Sequence, residues 1–288
     1  MGGHMTNNLL AKGVPVVVYD LSEDAMAKCE ANGATIASSL NDPEITSAST
    51  IITMLPSSPH VQLTITTLLE TNAIKPSTTF IDSSTIDPSV SKKLSALVSA
   101  HNSCKMIDAP VSGGVGGAEA GTLTFMAGCQ SASDLEPVRK YFEIMGSNLV
   151  HTGGAGTGCM AKLCNNLAMA ISMVGTSEAM HLGEKMGIDG KVLAGIMNTS
   201  TARCWSSDTY NPVPGVLPNV PSSKDWEGGF GVALMLKDLR LAMDAKGECG
   251  ASGILGTEAT ALYERMDEDG RGKKDFGFVY RHFTDGKN

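Results

Sequence analysis

Positive charge is in short supply: 22 lysines and arginines stand against 30 acidic residues, a net charge of −8. That balance argues against a nucleic-acid partner and against binding to an anionic membrane. The seven cysteines are scattered, odd in number and nowhere spaced C-x-x-C. Free thiols in a reducing compartment are expected, not a disulfide framework. No H-E-x-x-H and no Cys/His cluster occurs, so no metal is expected. The six histidines are isolated. The longest apolar run, Leu167 to Val174, is too short to span a bilayer. Signal peptide, low-complexity segment and internal repeat are all absent from view. The remaining composition is that of a globular protein, and the length suits two domains.

The first half alternates between strand-like and helix-like segments. Val14–Tyr19, Thr50–Met54, Thr79–Asp82, Lys105–Asp108, Leu123–Met126 and Asn148–Val150 read as strands. Ser22–Asn32 with Ser22 as N-cap, Pro59–Thr71, Pro88–His101 with proline in the first turn, and Asp134–Met145 read as helices. The alternation predicts a doubly wound α/β sheet, parallel for most of its strands, over residues 1–153. Past Gly153 no further strand is expected. Met160–Met186 reads as one helix of roughly 40 Å at 1.5 Å per residue, closed by Gly187 and apolar enough to be buried between domains or subunits. Lys191–Asn198, Leu234–Lys246, Ile254–Asp269 and Phe276–Phe283 complete an all-helical domain over 154–288, with an irregular loop at Cys204–Lys224.

A doubly wound domain that binds a dinucleotide starts strand, G-x-G-x-x-G, helix. This sequence opens at the helix: Met5, Leu9 and Leu10 recur at helical spacing, with Gly2 at the third glycine position. The preceding strand and two of the three glycines are not there. The missing strand would be central, between the Val14 and Thr50 strands, and its loss would weaken cofactor binding. Asp20 ends the next strand, where an acid bonds the adenosine ribose and repels a 2′-phosphate, favouring NAD over NADP; it reads also as a turn residue before a helix. Gly3-His4-Met5 reads also as an expression scar.

Gly156-x-Gly158-x-x-x-Lys162-x-x-x-Asn166 puts a lysine and an amide one turn apart on one face of the long helix, close to a glycine turn that leaves room for a ligand. A small oxygenated substrate would suit them; a solvated lysine and an interhelical core amide are the plainer readings. Ser112, Gly113 and Gly114 can offer backbone N–H groups and a hydroxyl to an anion, or form a flexible turn with Gly116 and Gly117. Lys237 beside Asp238 reads as an exposed ion pair.

Asp108-Ala109-Pro110-Val111-Ser112-Gly113-Gly114 resembles the substrate-loop signature of the β-hydroxyacid dehydrogenases, and the Gly156–Asn166 segment resembles their catalytic helix. Lys237-Asp238-Leu239-x-Leu241-Ala242 is similar to their second lysine segment. Within that family, Ile81–Pro88 and Arg203–Gly215 resemble the mitochondrial 3-hydroxyisobutyrate dehydrogenases, while Asn165-Asn166 departs from the His-Asn of 6-phosphogluconate dehydrogenases. The likeness covers nearly the whole chain.

The resemblance implies a Rossmann domain joined by the long helix to an all-α domain, with the active site between them. It implies NAD-dependent oxidation of 3-hydroxyisobutyrate to methylmalonate semialdehyde in valine breakdown, in the mitochondrial matrix (the transit peptide being absent), by a homo-oligomer, dimer or tetramer. Lys162 and Asn166 would be catalytic, and Ser112, Gly113 and Gly114 would hold the substrate carboxylate. Gly2, Asp20, Leu55, Pro56, His60, Thr85 and Lys237 would line the cofactor. A lysine with its ordinary pKa of about 10.4 is a poor base near neutrality, so Lys162 either has a lowered pKa or acts as a charged donor to the alkoxide. The rivals are a sibling enzyme such as tartronate semialdehyde reductase, and a non-catalytic truncated chain.

Overall fold

Short apolar strands, most of them followed by a helix, build the first half of the computed structural model, which describes residues 1–71 and 73–286. The chain divides into two compact units, Met1–Lys162 and Leu163–Asn288. In the first, α1 (Gly2–Ala11), β1 (Val17–Val18), α2 (Glu23–Ala31), β2 (Thr35–Ile36), α3 (Pro43–Thr46), β3 (Thr50–Thr53), α4 (Ser58–Glu70), β4 (Thr79–Asp82) and α5 (Pro88–Ser99) follow in order. Then come β5 (Lys105–Asp108), β6 (Val111–Ser112), α6 (Gly114–Ala120), β7 (Leu123–Gly128), α7 (Arg139–Met145) and β8 (Gly146–Gly153). Side-chain caps start the helices: Ser22 accepts from Ala25 N–H, Asp42 from Glu44 N–H, and Asp87 from Ser89 N–H with Pro88 in the first turn.

The sheet is in two pieces. β1 and β2 form a parallel pair, and β3-β4-β5-β7-β6 form the larger sheet, with β8 parallel to β7. β3, β4 and β5 are parallel in register, Ile52 opposite Ile81 and Ile81 opposite Ile107, whereas β5–β7 and β6–β7 are antiparallel. No strand is hydrogen-bonded between β1 and β3 among the described residues, where a first strand was expected to be missing. Side chains alone join the pieces. Met5, Leu9, Val14, Val16, Ile52 and Met54 share one core layer, and Val17, Tyr19, Ile51 and Leu55 border another with Val61, Ile65 and Phe80. Ile51 and Ile52 are half-buried, whereas Phe80 and Ile81 beside them are fully buried.

Several elements differ from the sequence expectation. The Val14–Tyr19 strand shrinks to Val17–Val18: Val14 N–H closes the end of α1 on Leu9 carbonyl, past Gly13 at φ 75°, and Pro15 has no N–H to give. The Asp134–Met145 helix begins as a 3₁₀ turn, Ala132–Val138, because Pro137 interrupts it. Gly114–Ala120 is helical despite three glycines, Gly117 N–H bonding Gly113 carbonyl.

Among the described residues the second unit holds no strand beyond a bridge between Gly231 and Asp275. α8 (Thr157–Lys185) enters it from the first and is followed by α9 (Gly190–Thr199), α10 (Trp205–Asp208), α11 (Val232–Cys249), α12 (Ile254–Met266) and α13 (Val279–Thr284). α8 ends as expected at Gly187, φ 88°, with Ile188 N–H on Gly183 carbonyl. Within this unit it buries one stripe, Leu163, Asn166, Ala170, Met173, Ser177 and Met180, and leaves Leu182 exposed. The stripe repeats every three or four residues, the spacing of one helix face. Met173, Met180, Met235, Leu239, Tyr263 and Phe276 form the core. The Cys204–Lys224 segment is better ordered than a loop: it holds α10 and a 3₁₀ turn, and Tyr210 stacks on Trp205 at 4.5 Å and donates to buried Asp275.

Candidate active site

Asn166 is the polar member of an otherwise mostly apolar stripe, and burying an amide requires partners. α11 supplies one: Asn166 Nδ2 donates to Asp238 Oδ2 at 2.5 Å, and Asn166 Oδ1 accepts from Asn165 Nδ2 at 3.1 Å. Asp238 is only 2% exposed, and the Lys237 ammonium lies 2.9 Å from its Oδ1. Lys162 is buried, 8% exposed, one turn before Asn166 on α8. It is therefore not the solvated lysine of an amphipathic surface. Lys237, a quarter exposed, faces a buried carboxylate and is not an ordinary surface pair either.

The start of α8 meets the end of β5. Asp108, the last residue of β5, accepts from Gly156 N–H at 2.7 Å and from Cys159 N–H at 3.0 Å. The segment that follows Asp108 runs through β6 to Ser112, Gly113 and Gly114. Ser112 pairs with Thr124 of β7 and is half-buried; Gly113 (φ 135°) and Gly114 (φ 63°) turn the backbone and are exposed. Both adopt conformations that side-chain-bearing residues avoid. No side chain caps α6, so the backbone N–H groups of its first turn carry no side-chain acceptor. Gly116 and Gly117 belong to that helix, which removes the flexible-turn reading.

Of the residues expected at the cofactor, Leu55, Pro56, His60 and Thr85 follow the carboxyl ends of β3 and β4, which run parallel, whereas Asp20 follows β1 and Lys237 lies on α11 of the second unit. Leu55 N–H donates to Ser84 Oγ at 2.8 Å, tying the loop after β3 to the loop that carries Thr85. Pro56 and His60 are exposed, His60 Nδ1 lying 2.7 Å from Ser57 Oγ. Gly2 opens α1 beside Met54, with no side-chain cap. A methyl on Gly2 would lie 3.7 Å from Met54 Cβ, an ordinary contact, so close packing does not demand glycine there. Asp20 is exposed and its Oδ1 accepts from Ser22 N–H at 2.8 Å, as a turn residue would, leaving Oδ2 to a ligand. An uncapped ten-residue helix start beside a parallel-strand rim fits a dinucleotide phosphate. Asp20 fits a ribose hydroxyl.

Two residues had no role in the sequence reading. Asp238 was seen only as the partner of an exposed lysine; that Asn166 needs an acceptor was the available signal, but no spacing rule links residues on two helices. Asp108 stood inside a motif whose glycines drew attention. Beneath the rim, Asp82 is fully buried, its Oδ1 accepting from Thr53 Oγ1 at 2.8 Å and Ser84 N–H at 3.1 Å, its Oδ2 without a partner among the described residues. Burial pushes its carboxyl up to about 6 against those two bonds. Among the described residues no group of three His, Cys, Asp or Glu could hold a metal ion, and no helix is long and apolar enough to cross a membrane. All seven cysteines are free.

Residues 1–154 match the family described as the NAD binding domain of 6-phosphogluconate dehydrogenase, and 156–283 match the NAD-binding domain of NADP-dependent 3-hydroxyisobutyrate dehydrogenase. The chain is 48% identical to a probable mitochondrial 3-hydroxyisobutyrate dehydrogenase of Dictyostelium discoideum, over 97% of this chain and 87% of that protein. It is 46% identical to the human mitochondrial enzyme of that name, over 98% and 83%. A solved 3-hydroxyisobutyrate dehydrogenase of Mycobacterium tuberculosis, with L-serine, superposes with a TM-score of 0.92 at 38% identity, covering 98% of this chain and 95% of that one. The chain belongs to the 3-hydroxyisobutyrate dehydrogenase family.

Proposed function

We propose that this chain oxidises 3-hydroxyisobutyrate to methylmalonate semialdehyde with NAD, a step of valine breakdown, and does so in the mitochondrial matrix, where its curated relatives are named. The observation that carries the residue assignment is the buried Lys162 one turn before Asn166, whose amide is clamped by Asp238. In this reading Ser112 and the N–H groups of Gly113 and Gly114 take the substrate carboxylate. Lys162 Nζ sits at the reacting hydroxyl: neutral, it accepts the proton; protonated, it holds the alkoxide by a charge-assisted hydrogen bond. Asn166, held in one rotamer, orients substrate or Lys162. The α1 start at Gly2, Asp20, Leu55, Pro56, His60, Thr85 and Lys237 hold the dinucleotide, which when bound supplies the hydride acceptor. The exposed apolar residues Leu182, Met186, Val192 and Ile196 support a homo-oligomer.

The test is NAD reduction by the purified chain, followed by absorbance, over a panel of 3-hydroxyisobutyrate, glycerate and L-serine. L-serine belongs in the panel because the mycobacterial structure contains it and it is itself a 3-hydroxy acid. Preference for hydroxyisobutyrate supports the assignment. Preference for glycerate makes the chain a sibling of the tartronate semialdehyde reductase kind, and binding of NAD without turnover of any substrate overturns the catalytic reading.

A further inference from the structure

α8 cannot cap itself. It begins at Thr157, so its N-cap position is Gly156, which has no side chain to offer the orphan N–H groups of the first turn. In a capping box, two side chains of the helix divide this work, one taking the N–H of the third helical residue and the other that of the N-cap. Here one distant carboxylate takes both: Asp108 accepts from Gly156 N–H (2.7 Å) at one oxygen and from Cys159 N–H (3.0 Å) at the other. Asp108 is 1% exposed. A buried negative charge at a helix start also opposes the helix dipole favourably.

The seat around this contact leaves no slack. A methyl on Gly128 of β7 would lie 2.6 and 2.8 Å from the two Asp108 oxygens. On Gly158 it would lie 2.2 Å from Met126 carbonyl oxygen and 2.6 Å from that of Asp108, and on Gly156 2.8 Å from Pro88 carbonyl oxygen. Gly128 and Gly158 thus let the first turn of α8 rest directly on the backbone of β5 and β7, Gly156 lets it approach Pro88 of α5, and Asp108 fixes where along and around its axis the helix begins. Lys162 follows Cys159 by three residues, about 4.5 Å of rise. In the other chain direction, Asp108 is four residues from Ser112, and that path is held by Ala109 N–H on Asp82 carbonyl (2.7 Å), Met126 N–H on Pro110 carbonyl (3.1 Å) and the β6–β7 ladder.

We propose that Asp108 is a positioning residue for the reaction: it sets the axial and rotational start of α8, and so the place of Lys162 Nζ relative to Ser112–Gly114. The proposal rests on Lys162 being the group at the reacting hydroxyl, and it adds that Lys162 works only while the start of its helix is tied to the strand that leads into the carboxylate loop. Asp108→Asn keeps the shape but turns one of two acceptors into a donor facing a backbone N–H. Asp108→Ser leaves at most one of the two bonds.

The test uses the full chain with both variants, and Lys162→Ala alongside. Turnover is expressed per NAD-binding site titrated in the same sample, so that unfolded molecules drop out. The dissociation constant for NAD and hydrogen exchange of residues 156–162 are measured together. For each Asp108 variant that folds, turnover per site should fall by roughly 10²-fold, the scale of a misplacement of about 1 Å. NAD affinity should stay within about threefold, and exchange should speed up at residues 156–162 but not in β4. Turnover per site within twofold of the parent overturns the proposal, and so does an equal loss of NAD affinity and turnover, which would make Asp108 a general structural residue. If Lys162→Ala is inactive while an Asp108 variant is not, the positioning role alone fails; if Lys162→Ala stays active, the Lys162 reading fails with it. Failure of both Asp108 variants to bind any NAD after purification counts against the proposal as well.

Discussion

In the proposed function Lys162 carries the heaviest burden of any single side chain, and its removal should separate binding from chemistry. Lys162→Ala should retain NAD binding and lose turnover by about 10²–10⁴-fold, the usual worth of a positioned proton-handling group; stopped-flow or steady-state NAD reduction beside a binding titration reads both, and unchanged turnover refutes the role. Asp238→Ala leaves the buried Asn166 amide without its acceptor. It should cost about 1–3 kcal/mol of stability, as an unsatisfied buried polar group does, and lower turnover, read by chemical denaturation and the same assay; a variant as stable as the parent would show that Asn166 finds another acceptor. Asp20→Ala should weaken NAD and raise the NADP-to-NAD ratio of kcat/KM, because the carboxylate that repels a 2′-phosphate is gone. An unaltered ratio would leave Asp20 as the turn residue that its bond to Ser22 N–H also makes it.

Strands and helices were read from the chain unevenly, and the reasons are local. Thr79–Asp82 and Lys105–Asp108 form as expected because each lies between two partners, so burial on both faces makes the apolar run continuous. Thr35–Ile36 and Val111–Ser112 were not foreseen: two-residue strands leave no period to detect. Gly114–Ala120 carries no helix signal because its glycines disfavour helix, and a flexible turn was the alternative reading around Gly113 and Gly114; tertiary packing of Ala118 overrides that propensity. Of the site, the Lys162–Asn166 spacing was legible because it lies within one helix, whereas Asp108 to Cys159 and Asn166 to Asp238 are long-range contacts that no local rule reaches. The break between β1 and β3 also makes a prediction at this scale. Amides of β1 and β2 should exchange much faster than those of β4, which is paired on both sides. Equal protection in a hydrogen-exchange experiment would mean that the two pieces open together.

At the scale of the whole molecule, buried acids set the response to pH. Asp82 and Asp275, in different units, are both pushed up to about 6 by burial, from an unperturbed 3.8. Between those values the folded chain holds protons that the unfolded chain has released, so stability falls as pH rises from about 4 to about 6 and stays at its lower level above. For Asp82 the shift corresponds to about 3 kcal/mol at about 1.4 kcal/mol per pKa unit. The lowered carboxyls, such as Asp42 and Asp208, held down by hydrogen bonds, act only on the acid side of about 4, outside this window. The melting temperature should therefore be higher at pH 5 than at pH 7.5. Asp82→Asn should narrow that difference by raising the value at pH 7.5; a scanning experiment that finds the parent more stable at pH 7.5 would overturn the expectation.

The divided sheet has a mechanical consequence. Backbone ladders are stiff because each hydrogen bond fixes register, but side-chain contacts permit small sliding without a discrete break. Among the described residues no backbone hydrogen bond links the β1–β2 pair to β3; between them stand Val16, Ile52 and their neighbours, and nearby a hydrogen bond from Asn32 Nδ2 at the α2 end to Asn7 Oδ1 of α1. Asp20 rides on the compliant piece, whereas Leu55 and Thr85 are mounted on the stiff one. In the proposed assignment the adenosine end of the cofactor would be held as if on a spring, and the nicotinamide end as if on a bench. Grip on the nucleotide can soften with temperature while the geometry of the reacting end stays fixed.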